Sequence, residues 1–285
     1  MGSIKALFLT STVLVGSTNL VQAADLLLPP PPPLEAPVYA AAEFNGWYLR
    51  GDVGVGISTI GQMRSTFDAG FVVDKPRFES SRLGDSTIIG LGVGYKFNNW
   101  LRADVTGEYR TAGHFGAVES YGPTFCTSAS GRCYDSYSAS ISNAVFLANG
   151  YVDIGTWYGL TPFVGAGVGF ASSTVRGLTD TGNSLGAQGF GWAADKTTTN
   201  FAWALMAGLG YTVNSNLKLE LGYRYLNMGT VTSAGINCTN APACGNEVQR
   251  FKLASHDIRL GMRWMFNEPP PPPMPPMQMP LVRKY

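Results

Sequence analysis

From Phe251 to Phe266 the sequence FKLASHDIRLGMRWMF alternates with a period of two. Ile258, Leu260, Met262, Trp264 and Phe266 are apolar, while Asp257, Arg259, Gly261 and Arg263 between them are charged or tiny. Side chains on a strand alternate between faces, so one face of this strand is greasy and the other ionic. The same grammar recurs in seven earlier stretches, and the pattern predicts eight strands. They are Gly46–Thr59, Ser86–Phe97, Trp100–Gly113, Tyr137–Ile154, Thr161–Thr174, Thr199–Val213, Asn216–Gly229 and Phe251–Phe266. A soluble strand shows its polar face to water, but a polar face of paired arginines and aspartates is better hidden. Apolar outside and polar inside is the pattern of a membrane barrel, and each stretch meets the ~9–11 residues a tilted spanning strand needs.

The connections alternate in length. Asn98-Asn99, Gly155–Leu160 and Asn214-Ser215 are short, whereas Ile60–Asp85, His114–Ser136, Val175–Thr198 and Thr230–Arg250 are long. Short turns at one end and long loops at the other predict an all-β, eight-stranded antiparallel up-and-down transmembrane barrel in the outer membrane. The long loops would be extracellular and both termini periplasmic.

Charges facing lipid would cost ~2–4 kcal/mol per Arg or Lys at the midplane, so the charged parity points inward. The inward set is Arg50, Asp52, Lys96, Arg102, Asp104, Glu108, Arg110, Asp153, Lys218, Glu220, Arg224, Asp257, Arg259 and Arg263. An eight-stranded barrel is only wide enough to be filled by its own side chains, which predicts a plugging charge network. An ion pathway is the sharper alternative. Ile88, Val145 and Met206 interrupt the inward polarity, which suits a filled interior. Inward glycines in the repeats Leu91-Gly92-Val93-Gly94, Gly165-Ala166-Gly167-Val168-Gly169 and Gly208-Leu209-Gly210 leave room for long side chains from facing strands. No helix or GK[ST] follows these glycine runs, so they do not read as nucleotide loops. Trp47, Tyr95, Phe97, Trp100, Tyr211, Tyr223, Trp264 and Phe266 predict an aromatic girdle at the short-turn end.

The rest of the chain adds an export signal. Lys5, the apolar Ala6–Val15 and the small-residue Val21-Gln22-Ala23 predict a signal peptide over 1–23 and a mature start at Ala24-Asp25. A proline-rich periplasmic linker, 24–45, precedes the barrel at 46–266, and a proline-rich tail follows at 267–285. Net charge is +1, which gives no reason to expect nucleic acid as a partner. The four cysteines form two close pairs, Cys126 with Cys133 and Cys238 with Cys244. In an exported chain these read as local disulfides in long loops. A metal site is the rival, but no CxxC occurs and the only histidines are His114 and His256. No cofactor is expected. Ser255-His256-Asp257 resembles a hydrolytic triad on paper, yet adjacent strand residues face opposite ways, and no enzymatic role is expected.

With these marks in place the chain resembles the small eight-stranded outer-membrane barrels of α-proteobacteria, the porin-family or opacity-like proteins. The resemblance rests on Ala24-Asp25, on Gly46-Trp47-Tyr48-Leu49-Arg50-Gly51 and on Asp257 to Phe266. It implies residence among outer-membrane lipid and lipopolysaccharide, with the barrel-assembly machinery and periplasmic chaperones as partners in biogenesis. The assembly signal would be Trp264 and Phe266, although 19 residues follow Phe266. It also implies a covalent tether from Ala24, beside Asp25, to peptidoglycan. The expected role is therefore an envelope-supporting barrel. A surface adhesin acting through long-loop residues such as Phe115, Tyr121, Phe125 and Tyr134 is the alternative, and a narrow passive porin the second alternative.

Overall fold

A computed structural model describes residues 45–66, 75–123, 126, 133–182, 189–239 and 247–266. The segments read as signal, linker and tail, with Ala24 and Asp25, lie outside the described residues apart from Asn45. Eleven strands run in chain order: β1 (Gly46–Ser65), β2 (Arg77–Leu83), β3 (Ser86–Lys96), β4 (Leu101–Tyr121), β5 (Cys133–Asp153), β6 (Leu160–Gly182), β7 (Gly189–Ala193), β8 (Lys196–Thr212), β9 (Leu217–Thr232), β10 (Ile236–Cys238) and β11 (Gln249–Met265). Eight of them close a ring, β1-β3-β4-β5-β6-β8-β9-β11, sealed by the antiparallel pairing of β11 with β1 and of β6 with β8. These eight are the strands expected from the alternation.

The two tightest turns use one device. Asn98 Oδ1 accepts the backbone N–H groups of Trp100 (3.0 Å) and Leu101 (2.7 Å). Asn214 Oδ1 does the same for Asn216 (2.9 Å) and Leu217 (2.8 Å). A short side chain mimicking a backbone acceptor is what lets asparagine turn a chain this sharply.

All of the ring strands except β3 are longer than the alternation predicted, mainly toward the long connections. β4 runs to Tyr121 and β5 starts at Cys133, so most of what read as a loop is wall. β2 extends the sheet against the upper part of β4, from Leu83↔Phe115 to Arg77↔Ser120. β7 does so against β6, and β10 against β7. The sequence concealed this because β-bulges reverse the inward parity. An extra residue sits in β1 at Gly61–Met63, in β4 between Arg110 and Gly113, in β6 near Gly177 and in β9 near Gly229. In β4 the buried positions are even-numbered through Arg110, then odd-numbered from Gly113 to Glu119. One inserted residue shifts the face of every later side chain, so a simple period-two reading stops there. Gly177 (φ 58°) and Gly229 (φ 77°) supply the left-handed backbone at two of these bulges.

A second inversion accompanies the bulges. Below them the outward residues form an apolar band; on β1 this runs from Trp47 through Leu49, Val53 and Val55 to Ile57, all exposed. Ten residues of tilted strand span about 25 Å vertically, the height of a lipid-facing band. Toward the long-connection end the outward residues turn polar: Ser172 bonds Thr199 (3.1 Å) and Thr174 bonds Thr197 (2.9 Å) across exposed strands. The inward residues there become an oily core of Leu83, Phe115, Ala117, Tyr137, Ala139, Ile141, Val175, Leu178, Met228, Val231, Phe251 and Leu253. This crown projects about 20 Å past the band and is built like a soluble sandwich.

Candidate functional site

Inside the apolar band, six arginines meet six carboxylates. Arg110 reaches Asp257 with both terminal nitrogens, at 3.0 and 2.6 Å. Arg224 also grips Asp257, through Nε at 2.8 Å and Nη2 at 2.7 Å, and reaches Glu108 at 2.6 Å. Arg259 bridges Asp52 (3.2 Å) and Glu108 (3.6 Å), joining this upper group to a lower one. There Arg50 holds Asp52 with two bonds (2.9 and 2.8 Å) and Asp104 with one (2.8 Å). Arg102 meets Asp153 (3.1 Å) and Glu220 (3.2 Å), and Arg263 meets Glu220 (2.9 Å). Paired, charge-assisted bonds of this kind are what make ions tolerable away from water. Lys96 is buried and Lys218 half-buried at the short-turn end.

Neutral groups complete the plug. Tyr48 donates to Asp104 (3.0 Å) and Asn149 Nδ2 does so at 2.8 Å, while Arg50 bonds the Tyr151 hydroxyl at 2.8 Å. The Arg102 guanidinium lies over the rings of Tyr151 (4.0 Å) and Phe163 (4.7 Å). Glycines make the space: a side chain at Gly56 would collide with the Arg110 guanidinium, and one at Gly92 would meet Arg50 Cγ at 3.0 Å. A gap of ≈ 20 Å³ remains among Arg50, Asp52, Tyr151, Glu220 and Arg259, room for about one water.

Ser255 and Asp257 share the lumen and bond each other at 2.6 Å, while His256 faces outward and bonds the Tyr223 hydroxyl at 2.6 Å. The three therefore do not converge. Trp47, Tyr95 and Phe97 pack edge to face at the short-turn end, with centroids 5.3 and 5.2 Å apart. Tyr223 is a correction: it pairs with Ile258, which pairs with Val55, and so it stands near the opposite rim beside His256. Trp264 and Phe266 are exposed on the last strand at the short-turn end.

The crown overturns part of the surface reading. Phe115 is 1% and Tyr121 2% exposed, so both are core rather than contact residues; Phe115 stacks on Phe251 at 5.2 Å. Tyr134 is 45% exposed. Phe125 lies outside the described residues. Cys126 and Cys133 form a disulfide packed against Tyr121. Cys238 is also disulfide-bonded, and Cys244 lies outside the described residues.

At the top of the crown, buried acids gather around the Tyr137 hydroxyl. The Tyr137 hydroxyl bonds Glu119 and Glu247, each at 3.0 Å. Tyr121 bonds Glu119 at 3.0 Å, and Gln249 and Ser65 bond Glu247 at 2.7 and 2.6 Å. Burial, then the nearby Asp135 and Glu247, pushes the Asp180 carboxyl up to about 8. Burial likewise raises Asp135 and the Tyr121 and Tyr137 hydroxyls. Sequence reasoning missed this cluster because its residues sit in segments that read as loops.

Residues 34–266 match the family model for the outer membrane protein β-barrel domain. An uncharacterised protein of Brucella suis is 31% identical over 89% of this chain and 95% of its own length. A protein of Rickettsia prowazekii, named as a candidate adhesin, is 26% identical over 77% of this chain and 87% of its own length. Among solved structures, the outer membrane protein OprG from Pseudomonas aeruginosa aligns with a TM-score of 0.52 at 12% identity, covering 79% of this chain and 98% of that one. The ionic lumen, the apolar band and the closed eight-stranded ring have a common explanation: the chain belongs to the outer-membrane β-barrel family.

Proposed function

We propose that this protein is a non-conducting outer-membrane barrel that holds a rigid recognition platform above the cell surface. The observation that carries this reading is the crown. Its wall is continuous β-sheet and its interior is filled by apolar side chains, directly above a lumen closed by ion pairs. Loops on a rigid scaffold bind with little ordering cost, and a scaffold projecting about 20 Å clears the lipid headgroups. The long connections then face outward from the cell, and the name of the Rickettsia relative points the same way. The contact surface would include exposed crown residues such as Tyr134, Phe190 and Trp192. The test uses the refolded full chain. Replacing Tyr134, Phe190 and Trp192 together with serine should abolish adhesion to host cells or surface matrix, and planar bilayers should show no steady openings. Undiminished adhesion, or large steady conductance steps, would sink the proposal.

A second role is compatible with the first and rests on the mature Ala24-Asp25 start. We propose that the Ala24 amino group is joined to peptidoglycan, with the 24–45 linker as an extended spacer of up to ~65 Å at ~3.1 Å per residue. Mass spectrometry of muramidase-digested sacculi should find a muropeptide carrying a peptide that begins at Ala24. An unmodified Ala24 terminus found only in the detergent extract would reject the tether and leave the platform reading intact.

A further inference from the structure

The turn joining β5 to β6 presents two aromatic rings that neither the ion-paired lumen nor the crown uses. Trp157 is 55% exposed and Tyr158 wholly exposed. Tyr158 (φ 52°) precedes Gly159 (φ 80°), and it is the one non-glycine residue with positive φ among the described residues. Such a turn favours asparagine, aspartate or glycine, so a tyrosine here costs stability. Its ring recovers none of that cost from the fold, because nothing covers it. The turn is nonetheless stiff. Trp157 and Leu160 exchange two backbone bonds of 2.9 Å, and the Gly159 carbonyl accepts the Thr212 N–H at 2.9 Å. The Thr156 and Thr161 hydroxyls bond at 2.8 Å. The Trp157 ring lies against Gly155, where a Cβ would meet it at 2.8 Å. A strained residue fixed by a stiff turn, with its ring held out, calls for a contact beyond the barrel wall.

The tail of the same chain is within reach. β11 ends at Met265, and the Phe266 N–H bonds the Trp47 carbonyl at 3.1 Å at this same short-turn end. The proline run at 269–273 begins three residues later, and prolines follow at 275 and 276. In the ring order, the seam between β11 and β1 stands diametrically opposite the β5–β6 turn. Eight strands ~4.8 Å apart and tilted ~40° make a ring about 16 Å across. A polyproline II segment advances ~3.1 Å per residue, so residues 271–273 fall about 16–22 Å beyond Phe266, over that turn. Polyproline II segments dock on aromatic surfaces because their conformation is already set and little ordering remains.

The mouth they would cross carries surplus positive charge. Lys96 stands opposite Arg102 and Lys218 opposite Arg263 on neighbouring strands. The carboxylates that meet these arginines are Asp153 and Glu220. Lys218 takes part in no ion pair among the described residues. Glu268 is the only acidic side chain in 267–285, and it comes two residues after Phe266, where the tail would enter the mouth. Opposite charges at the start and aromatic rings at the far rim suit one segment laid in one direction.

We propose that the proline run at 269–273 folds back across the short-turn mouth and packs on Trp157 and Tyr158, with Glu268 facing Lys218, so that the tail straps this end of the barrel.

The experiment uses the full mature chain, isotope-labelled and refolded in micelles, with a nitroxide on Pro273→Cys. No cysteine among the described residues is free, so the label goes to the new thiol. Amide signals of Trp157 and Tyr158 should broaden about fivefold more than those of Asn98 and Asn214, whose turns stand about 11 Å further around the rim. Trp157→Ser with Tyr158→Gly should erase that preference. Tyr158→Gly alone should weaken it and raise the thermal midpoint, because glycine accepts the left-handed backbone. Lys218→Gln and Glu268→Gln should each weaken it, and the double variant should add nothing to either. Ending the chain after Asn267 leaves the turn itself untouched; it should shift the Trp157 and Tyr158 signals and leave Asn98 and Asn214 in place. Equal broadening at all three turns, a preference that survives loss of both rings, or no shift on removing the tail would overturn the strap. In a mixture of nitroxide-bearing chains without isotope and isotope-labelled chains without nitroxide, Trp157 should stay sharp. Broadening there would overturn the intrachain strap in favour of a second copy's tail.

Discussion

The two halves of β11 are opposite solutions to one packing problem. From Asp257 to Met265 the strand turns arginine and aspartate inward and Ile258, Leu260 and Met262 outward. From Gln249 to Leu253 it turns Phe251 and Leu253 inward and Arg250 and Lys252 outward. The backbone, the pairing with β1 and the face parity are the same in both halves; only the medium outside the wall differs. Against lipid, the apolar set has no reason to turn inward and ions gain from pairing in the lumen. Against water, burial of each large apolar side chain contributes about 1.5–3 kcal/mol and the ordinary hydrophobic core returns. The boundary between the two therefore marks the membrane surface more sharply than any strand end does.

The largest expected break in that comparison is Asp257→Ala. It leaves Arg110 and Arg224 buried without their shared carboxylate, a loss of about 3–5 kcal/mol. Urea unfolding in micelles should show the whole barrel destabilised, since both arginines tie strands across the lumen. Phe251→Ala, six positions away on the same inward face, removes the ring stacked on Phe115 and should cost about 3–5 kcal/mol locally. Its signature should be faster hydrogen exchange and proteolysis confined to the crown, with the band segments still protected. A global loss equal to that of Asp257→Ala would mean the halves fold as one unit.

Cys126→Ser with Cys133→Ser is a smaller perturbation. The loop closed by this bridge has a sequence separation of 7, and the chain-entropy account gives at most ~2.5 kcal/mol. Protease nicking near Tyr121 should rise, with little change in the urea midpoint of the membrane half.

The smallest expected effect is pH dependence at Asp180. Its folded carboxyl value, about 8, lies above the unfolded value of about 3.9, so the folded crown binds the proton more tightly. That contribution is complete below about pH 4 and is lost as pH rises through about 8. Crown protection factors should fall between about pH 4 and about pH 8, and Asp180→Asn should flatten the profile. A profile unchanged by that substitution would remove Asp180 as its source.

Much of this molecule follows from the chain alone. Alternation of Leu217, Leu219, Leu221 and Tyr223 against Lys218, Glu220 and Arg224 is a local pattern, and a single strand with one ionic face dictates which side meets lipid. Eight such strands with alternating turn lengths specify the ring, and inward charges specify that the lumen contains ions. Tertiary structure decided what local pattern cannot carry. That Arg110 and Arg224 converge on Asp257 depends on strand order and shear, because these residues are 147 and 33 positions from it along the chain. Phe115 and Tyr121 read as loop aromatics and became core because the bulge between Arg110 and Gly113 reversed their face. In each case the deciding contact is a register between strands distant in sequence, which no period along one strand encodes.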